Sequence, residues 1–413
     1  MRYDTLIVGG GLGGLVSGIA LARHGQRVAI ISAGRSALHF LSGSLELYAD
    51  GYEAIAKLAE RHPDHPYNSV GSEHLERYLG ATKEIFERAG VALVGDHRRN
   101  HLRLSPTGAL RPAWLTMSEY VTFASRSEIE GRRVLVVALE GYLDFYPEFV
   151  AAGLERCGAA CRVVSVGLDE LARLRESATE MRAANISRVL VGPVLERLAD
   201  KVKVLIEDEE LVLLPAVFGL ESSEPFERFR ELLGRDVRVV ATASASVPGV
   251  RMQRLLVEEF TRLGGDYILG DRVTDYRAEE GRIVALRTVK HRDEEFTADN
   301  FVLSTGSFFS HGLDSTPEGI FEPLFGLDVS AAASREEWTA RHILDTQPFQ
   351  RFGVKVDGYL RPTIDGGEVR NLHVVGAVLA GADPVKEGCG AGVVVATALR
   401  AAEEILGHRV TRE

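Results

Sequence analysis

Hydrophobic and polar positions near the N-terminus predict a strand, a tight turn, a helix and a second strand. Residues 3–8 (YDTLIV) end in a β-branched apolar run, and residues 9–14 are almost all glycine. Residues 15–24 suit a buried helix that ends before Gly25, and residues 27–32 (RVAIIS) are again apolar and β-branched. Together they predict a βαβ unit of about 30 residues, with parallel strands and a right-handed crossover.

A second series of alternating strands and helices begins near residue 132. Apolar runs predict strands at 133–138, 162–166, 211–215 and 237–241. Between the first two of these, the segment 146–157 has the spacing of an amphipathic helix. Residues from about 100 to 245 are therefore expected to form an inserted α/β module.

The last third of the chain predicts a helix, a meander of strands and a return to buried strands. The predicted elements are a helix at 251–263, strands around 267, 275–277, 283–288, 301–304 and 372–375, and a final helix at 393–406. The two ends of the chain thus have the pattern of two halves of one nucleotide-binding domain.

The glycines after the first strand form a phosphate-binding pattern. Gly9, Gly11 and Gly14 satisfy G-x-G-x-x-G, with Gly13 inside it. The first glycine permits the turn, the second lets the backbone approach a pyrophosphate, and the third lets helix and strand pack closely. The helix N-terminus then offers free N–H groups and the positive end of its dipole to an anion. The pattern predicts a dinucleotide or flavin phosphate site.

The acidic residue that normally holds an adenosine ribose is missing. It is expected about 20 residues after the glycines, at the end of the second strand. Here that strand ends in Ser32, and the next acidic residue is Glu46. Either Ser32 and backbone groups hold the ribose, or the cofactor is shorter than a dinucleotide.

These patterns predict an α/β, Rossmann-like fold of the FAD/NAD(P)-binding flavoprotein type, assembled from both chain ends. Residues 1–99 are expected to be the N-terminal part of the flavin-binding domain, and residues 100–245 the inserted module. Residues 246–413 are expected to form the meander and the return to the first domain.

Composition excludes several classes of function. The 413 residues include 48 basic and 59 acidic side chains, a formal charge of −11, and no long basic run, which argues against nucleic-acid binding. The 3 cysteines are too few for a four-cysteine iron–sulfur cluster or a disulfide framework. We expect a cytoplasmic protein in a reducing compartment.

A membrane span is not expected. The uncharged stretch from Thr5 to Ala22 approaches the length of a transmembrane helix, but it is rich in glycine and contains the predicted turn. Any association with a membrane is therefore expected to be peripheral, or through a partner.

The segment after the second strand resembles the flavoproteins of the fumarate reductase and succinate dehydrogenase class. Arg35-Ser36 match their R-S pair, and the histidine that links flavin covalently in that class falls on Ala37. The resemblance therefore implies a flavin that is not attached there. It places His39, Ser42 and Gly43 near the flavin, although His39 is displaced by two residues and is not expected to form a covalent link.

Two later segments are similar to the same class. Residues 299–308 (DNFVLSTGSF) resemble its "ATG" strand and turn, which places Thr305 and Gly306 beside the cofactor. Residues 371–376 (NLHVVG) and 388–392 (GCGAG) resemble its last segment, which directs N–H groups at the flavin pyrimidine. The resemblance thus adds four glycines to the site: Gly376, Gly388, Gly390 and Gly392.

Further blocks narrow the resemblance to the family of B subunits of anaerobic glycerol-3-phosphate dehydrogenases. They lie at residues 1–45, 184–188 (ANISR), 215–220 (PAVFGL), 306–310 (GSFFS) and 388–390 (GCG). This family implies a flavoprotein subunit with FMN, or with FAD as the alternative. It also implies two partners, a catalytic FAD subunit and an iron–sulfur subunit that anchors the complex to the membrane. The implied reaction converts sn-glycerol 3-phosphate and a quinone to glycerone phosphate and quinol.

Other candidate residues have weaker support. His62 and His65 lie in a proline-rich segment (HPDHPY) that reads as a solvated loop, so no metal site is predicted. Cys157 and Cys161 are expected to be buried small residues. Three residues near turns could hold a substrate phosphate, although a structural role is favoured for each: Arg251, His311 and Arg361. No catalytic residue is predicted.

Two other functions remain open at this point. One is a stand-alone flavin-dependent reductase or dehydrogenase of another small acid. The other is a non-catalytic assembly subunit that keeps only the flavoprotein fold.

Overall fold

A computed structural model describes residues 1–177, 180–243, 245–292 and 294–407. The chain divides into two compact units, each built from separate stretches of sequence. The first unit contains Met1–Ala37, Glu46–Gly90 and Leu255–Glu413, and the second contains Leu38–Leu45 and Val91–Arg254. The predicted domain boundaries (1–99, 100–245 and 246–413) stay predictions.

The first unit is built on a seven-stranded sheet. Its strands are Arg2–Val8, Val28–Ser32, Asp266–Leu269, Val273–Glu279, Arg282–Thr288, Phe296–Leu303 and Leu372–Val374. Arg2–Val8 lies in the middle and pairs in parallel with Val28–Ser32 on one side and Phe296–Leu303 on the other. Its last residues are buried, because helices cover both faces of a parallel sheet.

Helices and short hairpins complete the first unit. Its helices are Leu12–Arg23, Tyr52–Ile55, Leu58–Arg61, Pro66–Val70, Ser72–Arg88, Pro384–Glu387 and Gly390–Leu406. Its hairpin strands are Asp314–Thr316, Gly319–Phe321, Val329–Ser330, Gly353–Val354, Thr363–Ile364 and Gly367–Glu368. The first and last helices pack together, and the Ser17 hydroxyl donates to the Ala398 carbonyl over 3.3 Å. The helix Val247–Arg262 contains the boundary between the units.

The second unit contains a four-stranded parallel sheet. In spatial order its strands are Ala160–Val166, Arg133–Leu139, Leu211–Pro215 and Asp236–Val240. Its helices are Pro147–Glu155, Asp169–Leu174, Ala183–Val189, Gly192–Leu205 and Glu224–Leu233. Two small antiparallel sheets are formed by Ser44–Leu45, Leu93–Gly95 and Leu115–Met117, and by His101–Leu104, Leu110–Ala113 and Thr122–Phe123.

The predicted α/β class and the N-terminal βαβ unit are confirmed. Two helices start three residues earlier than predicted, at Leu12 instead of 15 and at Gly390 instead of 393, because their first turns contain the glycines that had been read as loop. Residues 101–123 form antiparallel strands rather than the α/β pattern expected from about residue 100. Within the described ranges, no helix is long and apolar enough to cross a membrane.

Candidate functional site

The turn after the strand Arg2–Val8 requires glycine at two positions. Gly9 has φ +110°, and a Cβ atom there would overlap the Ser304 carbonyl. A Cβ atom on Gly14 would overlap the carbonyl of Gly9. Backbone of three segments therefore meets at this point more closely than any side chain allows.

Gly11 has a different environment, because its Cα faces open space. A Cβ atom there would approach only the Ser36 Cβ, at 3.7 Å. Gly11 also precedes the helix Leu12–Arg23, which receives no side-chain cap from it. The first N–H groups of a helix have no partner within the helix, so this open, positively polarised end is suited to a phosphate.

Two hydroxyl side chains lie where an acidic residue would normally bind the adenosine ribose. Ser32 donates its hydroxyl to the Gly34 carbonyl over 2.9 Å, and Tyr267 donates to the Gly10 carbonyl over 3.1 Å. A Cβ atom on Gly10 would meet both side chains. Tyr267 was not predicted from the sequence. Its ring lies beside the glycine turn because its strand, Asp266–Leu269, pairs with Val28–Ser32.

A cavity of about 520 Å³ opens at the carboxyl end of these strands. Gly9 and Thr305 line it where the strands end, and residues 271–274 line its far side. The Thr305 hydroxyl oxygen is buried and has no hydrogen-bond partner in the described part of the chain. A buried hydroxyl in this state favours a bound polar group. His311, a phosphate candidate, also lines this cavity.

Gly306 and Gly376 keep the neighbouring turns tight. Gly306 has φ +82°, and a Cβ there would overlap the Ser310 hydroxyl, which donates to the Thr305 carbonyl over 2.8 Å. Gly376 has φ +80° and donates its N–H to the Thr397 hydroxyl over 3.0 Å. Each turn holds its backbone in a conformation that favours glycine.

A second, smaller cavity of about 180 Å³ lies at the start of the last helix. Gly376 and Gly390 line it together with the rings of Phe308, Phe309 and Phe349. Apolar rings beside helix N–H groups suit the flat, partly polar ring system of a flavin.

Gly388 and Gly392 position the loop that leads into this helix. Gly388 has φ +57°. Gly392 donates its N–H to the Glu46 carbonyl over 2.9 Å, and a Cβ there would overlap the Tyr67 hydroxyl. The Gly392 N–H is therefore already used within the protein, and the preceding residues of the helix are the ones that offer N–H groups.

The structure brings most of the predicted site residues together in the first unit. These are Gly9, Gly11, Gly13, Gly14, Ser32, Ser36, Thr305, Gly306, Gly376, Gly388, Gly390 and Gly392, with Arg35 exposed nearby in sequence.

Three predicted site residues belong to the second unit: His39, Ser42 and Gly43. The His39 carbonyl accepts the Ser246 N–H over 2.9 Å, and Gly43 lies against the ring of Tyr120. Their assignment to the flavin site stays a prediction.

Two of the phosphate candidates already pair with carboxylates of the protein. Arg251 is 2% exposed, forms an ion pair with Glu119 and donates to the Phe218 carbonyl over 3.1 Å. Arg361 pairs with Glu368 over 3.3 Å, where both side chains are partly exposed. Cys157 follows the helix Pro147–Glu155 and Cys161 lies in the strand Ala160–Val166; both are half-buried free thiols rather than the buried residues expected.

A buried charged cluster next to the last helix was missed from the sequence. His65 is fully buried, which corrects the solvated-loop interpretation, and its Nε2 lies 3.3 Å from Glu387 Oε2. The same oxygen accepts the Asp383 N–H over 2.9 Å and lies 3.5 Å from the Cys389 sulfur. Arg351 pairs with the other Glu387 oxygen. The sequence signal was an acidic residue, Glu387, just before a glycine-rich apolar stretch.

These side chains have the donor types of a metal site, but the histidine is not free to bind a metal. His65, Glu387 and Cys389 place their ligand atoms within 4.8 Å of one another. The Tyr67 N–H donates to His65 Nδ1 over 3.2 Å, so the hydrogen of a neutral ring lies on Nε2, which faces Glu387. The cluster is therefore complete as a hydrogen-bond network.

The charge of Glu387 is stabilised within this network. Burial opposes ionisation, but the hydrogen bonds from His65 and Asp383 and the charge of Arg351 outweigh it and lower the pKa of Glu387 to about 2. Burial and the neighbouring Glu387 charge raise the pKa of Cys389 well above its usual value, so its thiol stays protonated.

Comparisons with known proteins identify the family of this chain. A family model described as an FAD binding domain matches residues 4–393. The B subunit of the anaerobic glycerol-3-phosphate dehydrogenase of Yersinia pseudotuberculosis is 38% identical over 99% of this chain and 99% of its own. The protein of the same name from Pectobacterium atrosepticum is 40% identical over 98% of this chain and 99% of its own.

Solved structures show more remote likenesses. A variant of E. coli quinol fumarate reductase is 11% identical, with a TM-score of 0.43, over 98% of this chain and 70% of that chain. The glycine oxidase of Geobacillus kaustophilus is 14% identical, with a TM-score of 0.36, over 99% of this chain and 95% of that chain.

The family match confirms the flavin expected from the sequence, and the flavoprotein resemblance with it. The resemblance implied FMN, with FAD as the alternative. Because the matching family model is an FAD-binding domain, FMN stays a proposal. From its sequence and its site, the chain belongs to the FAD-binding flavoprotein family, and within it to the family of the B subunits of anaerobic glycerol-3-phosphate dehydrogenases.

Proposed function

We propose that this chain is the flavin-carrying B subunit of a glycerol-3-phosphate:quinone oxidoreductase. The reaction oxidises sn-glycerol 3-phosphate to glycerone phosphate and reduces a quinone to quinol. The observation that carries this proposal is the identity of 38% to the Yersinia protein over 99% of both chains. The open glycine turn at Gly11 supports it, since it supplies the phosphate site that a flavin protein needs.

A bound flavin would supply the ability to accept and release electrons singly or in pairs. The residues of this chain would hold it. The N–H groups at the start of the helix Leu12–Arg23 would bind its phosphate, and the Thr305 hydroxyl would supply a further polar contact. The N-terminus of Gly390–Leu406 would stabilise the negative charge that the ring system gains on reduction.

We assign FMN as the flavin. A dinucleotide would need a group that holds its adenosine ribose beside Ser32, where Tyr267 and Ser32 already fill the space next to Gly10. FAD is the second candidate. The cavity that continues from Gly9 past Ala33 to residues 271–274 favours it, because adenosine lies on that side in dinucleotide folds.

Electron transfer to quinone needs parts that other chains must supply. The 3 cysteines do not provide the ligands of an iron–sulfur cluster. The proposed partners are therefore a catalytic FAD subunit and an iron–sulfur subunit that anchors the complex. The chain itself is assigned to the cytoplasmic face of the membrane, attached only through those partners.

The test is to tag the chain in its own host, purify it with whatever accompanies it, and compare this complex with the chain alone. sn-Glycerol 3-phosphate is added without oxygen, and the visible flavin absorbance is followed. We expect loss of flavin absorbance in the complex, quinone reduction by it, and none by the chain alone.

Two other results would contradict the proposal. Reduction of the flavin in the isolated chain by a different small acid, but not by sn-glycerol 3-phosphate, would identify a stand-alone dehydrogenase. A chain that stays colourless after incubation with FMN or FAD, but still holds a complex together, would be an assembly subunit.

A further inference from the structure

The apolar side chains that are most exposed in the first unit lie around its smaller cavity. The six most exposed large apolar side chains in the described ranges include four from this region: Phe309 at 70%, Ile343 at 89%, Leu344 at 83% and Val385 at 64%. We call these four residues the apolar rim. Phe309 lines the cavity, and Val385 directly follows Pro384, which also lines it. Apolar side chains that are exposed together in this way mark an interaction surface.

Ile343 and Leu344 form the tip of a loop that starts and ends at one point. The Phe349 N–H donates to the Trp338 carbonyl over 3.0 Å and closes the loop 338–349. Phe349 also lines the cavity, where its ring lies 6.2 Å from that of Phe308. The loop therefore extends from the wall of the cavity.

Hydrogen bonds hold this loop in one conformation. The Ala340 N–H donates to Gln347 Oε1 over 2.9 Å, and Gln347 Nε2 donates to the His342 carbonyl over 2.8 Å. From outside the loop, the Lys386 ammonium donates to the Leu344 carbonyl over 2.6 Å. These bonds leave the two apolar side chains of the tip exposed. Because the tip is already ordered, it loses little conformational entropy when it binds.

The shape and charge of the loop favour another polypeptide as its partner. A protruding apolar tip fits a concave apolar pocket, whereas a two-fold dimer needs a self-complementary surface of about 1,200 Å² or more. A membrane with anionic lipids attracts basic segments. Residues 335–347 contain two basic and three acidic side chains, so this segment is not basic.

The position of the loop indicates what kind of polypeptide binds it. One end of the loop is Phe349, and Lys386 belongs to the helix Pro384–Glu387, whose first residue lines the cavity. A chain that binds the tip therefore lies beside the cavity suited to the flavin ring. In the proposed function the flavin passes electrons to another chain, so that chain is needed on this side.

We propose that the loop 338–349 is the docking element for a redox partner, a second polypeptide that carries a flavin or an iron–sulfur centre. Ile343 and Leu344 insert into an apolar pocket of that partner, and Phe309 and Val385 pack around it. The inference rests on the proposed function, because only that function requires a redox partner.

Site-specific photo-crosslinking tests the contact directly. The photoreactive amino acid p-benzoylphenylalanine replaces Leu344 in the full chain, the complex is irradiated in the membranes of its own host, and the adduct is identified by mass. We expect an adduct with a polypeptide that carries a redox centre. The control is the same replacement at Val204, which is 85% exposed in the second unit and should not form this adduct. An adduct with lipid, an adduct with a second copy of this chain, or no adduct would overturn the inference.

Substitutions at the tip measure its contribution to binding. Ile343→Ser and Leu344→Ser should each weaken the complex about tenfold, because each removes one apolar side chain from the interface. The release of the partner from the tagged chain on dilution measures this change. Both variants should keep the flavin content and the melting temperature of the wild type, since these side chains are exposed. Release at the same concentration as from the wild type would overturn the inference.

The contribution of the ordered loop is tested at Lys386. Lys386→Met removes the bond to the Leu344 carbonyl, so hydrogen exchange of residues 340–347 should become faster and the complex several-fold weaker. Lys201→Met is the matched control, because Lys201 is an exposed lysine that also donates to a carbonyl, that of Gly167, over 2.7 Å. Faster exchange with unchanged binding would contradict a tip that binds in this conformation.

The outcomes also distinguish this inference from the proposed function. A wild-type complex that reduces quinone, and that the two tip variants form equally well, would overturn the inference alone. A wild-type chain that reduces its flavin with another small acid and holds no redox partner would overturn the proposed function, and the inference with it.

Discussion

Each of the two units contains a sheet with parallel strands, and the carboxyl edges of these strands are built from opposite kinds of residue. In the first unit, the strand Arg2–Val8 runs into glycines, and Gly11 presents bare backbone at a helix start. In the second, the strand Arg133–Leu139 runs into Gly141 and then Tyr142, a bulky side chain with a buried hydroxyl. One edge offers backbone N–H groups, and the other presents a buried tyrosine side chain.

This difference affects how closely a phosphate can approach each edge. Backbone N–H groups without a side chain can approach a phosphate closely, but they make few contacts with the rest of the ligand. The second edge has a bulky side chain at the position where the first has bare backbone. The same arrangement of strands therefore ends in two chemically different edges in one chain.

The largest effect is expected from Gly9→Ala, which changes the glycine turn at the carboxyl edge of the first sheet. The new Cβ would overlap the Ser304 carbonyl at a φ of +110°, so we expect a loss of about 3 kcal/mol of stability together with the bound flavin. Flavin content and denaturant unfolding measure both. Gly34→Ala is the control, because no described atom lies within 4 Å of its Cβ position. Normal flavin content in Gly9→Ala would show that flavin binding does not depend on the backbone of this turn.

Removing the buried charge beside the last helix should be next in size. Glu387→Gln leaves Arg351 without its charged partner, so the free energy of unfolding should fall by about 3 kcal/mol at neutral pH. The pKa of Glu387 is about 2 in the folded chain, against an ordinary value of 4.5. The contribution of Glu387 to the free energy of unfolding is therefore present above pH 4.5 and is lost as pH falls toward 2. In the variant, the free energy of unfolding should depend less on pH over this range.

The control for this variant is Glu368→Gln. That carboxylate pairs with Arg361 at the surface, where an ion pair contributes less than about 1 kcal/mol. An equal effect of the two substitutions in denaturant titrations would show that burial of Glu387 does not matter.

Each unit also contains a histidine whose pKa is lowered by burial, and each of these can report the stability of its own unit. Burial lowers the pKa values of His373, in the first unit, and His101, in the second, to about 4, against 6.5 when unfolded. Both contributions are present above pH 6.5 and are lost as pH falls toward 4, because the unfolded chain takes up protons first. We expect His373→Asn to reduce this pH dependence in the first unit and His101→Asn in the second, measured by hydrogen exchange. A substitution that changed both units equally would contradict separate contributions.

The smallest effect is expected beside Gly10 and Ser32, where a dinucleotide would place its adenosine ribose. Tyr267→Ala opens the space beside Gly10 and Ser32, so FAD should gain about tenfold in affinity relative to FMN. Tyr267→Phe keeps the ring and should leave the preference unchanged. Competition between the two flavins for the flavin-free chain measures the ratio of FAD affinity to FMN affinity. The same ratio in the wild type, Tyr267→Ala and Tyr267→Phe would show that Tyr267 does not select the flavin.

The sequence predicts features whose parts lie close together along the chain. The glycine turn and its helix occupy residues 9–24, and their spacing alone defines a phosphate site. The β-branched runs likewise predict the parallel strands, because both faces of such strands are buried.

Contacts between distant residues could not be predicted in this way. His65 and Cys389 are 324 residues apart, and only the fold brings them to one carboxylate. Tyr267 reaches the glycine turn through strand pairing, which no local pattern encodes.

The most direct test of the central claim is to purify the chain alone, record its visible spectrum, and identify the cofactor that it releases on denaturation by mass. Our account predicts a yellow protein that releases a non-covalently bound flavin, FMN by our assignment, and a Gly9→Ala variant that releases none. A colourless wild-type chain that takes up neither FMN nor FAD would contradict it.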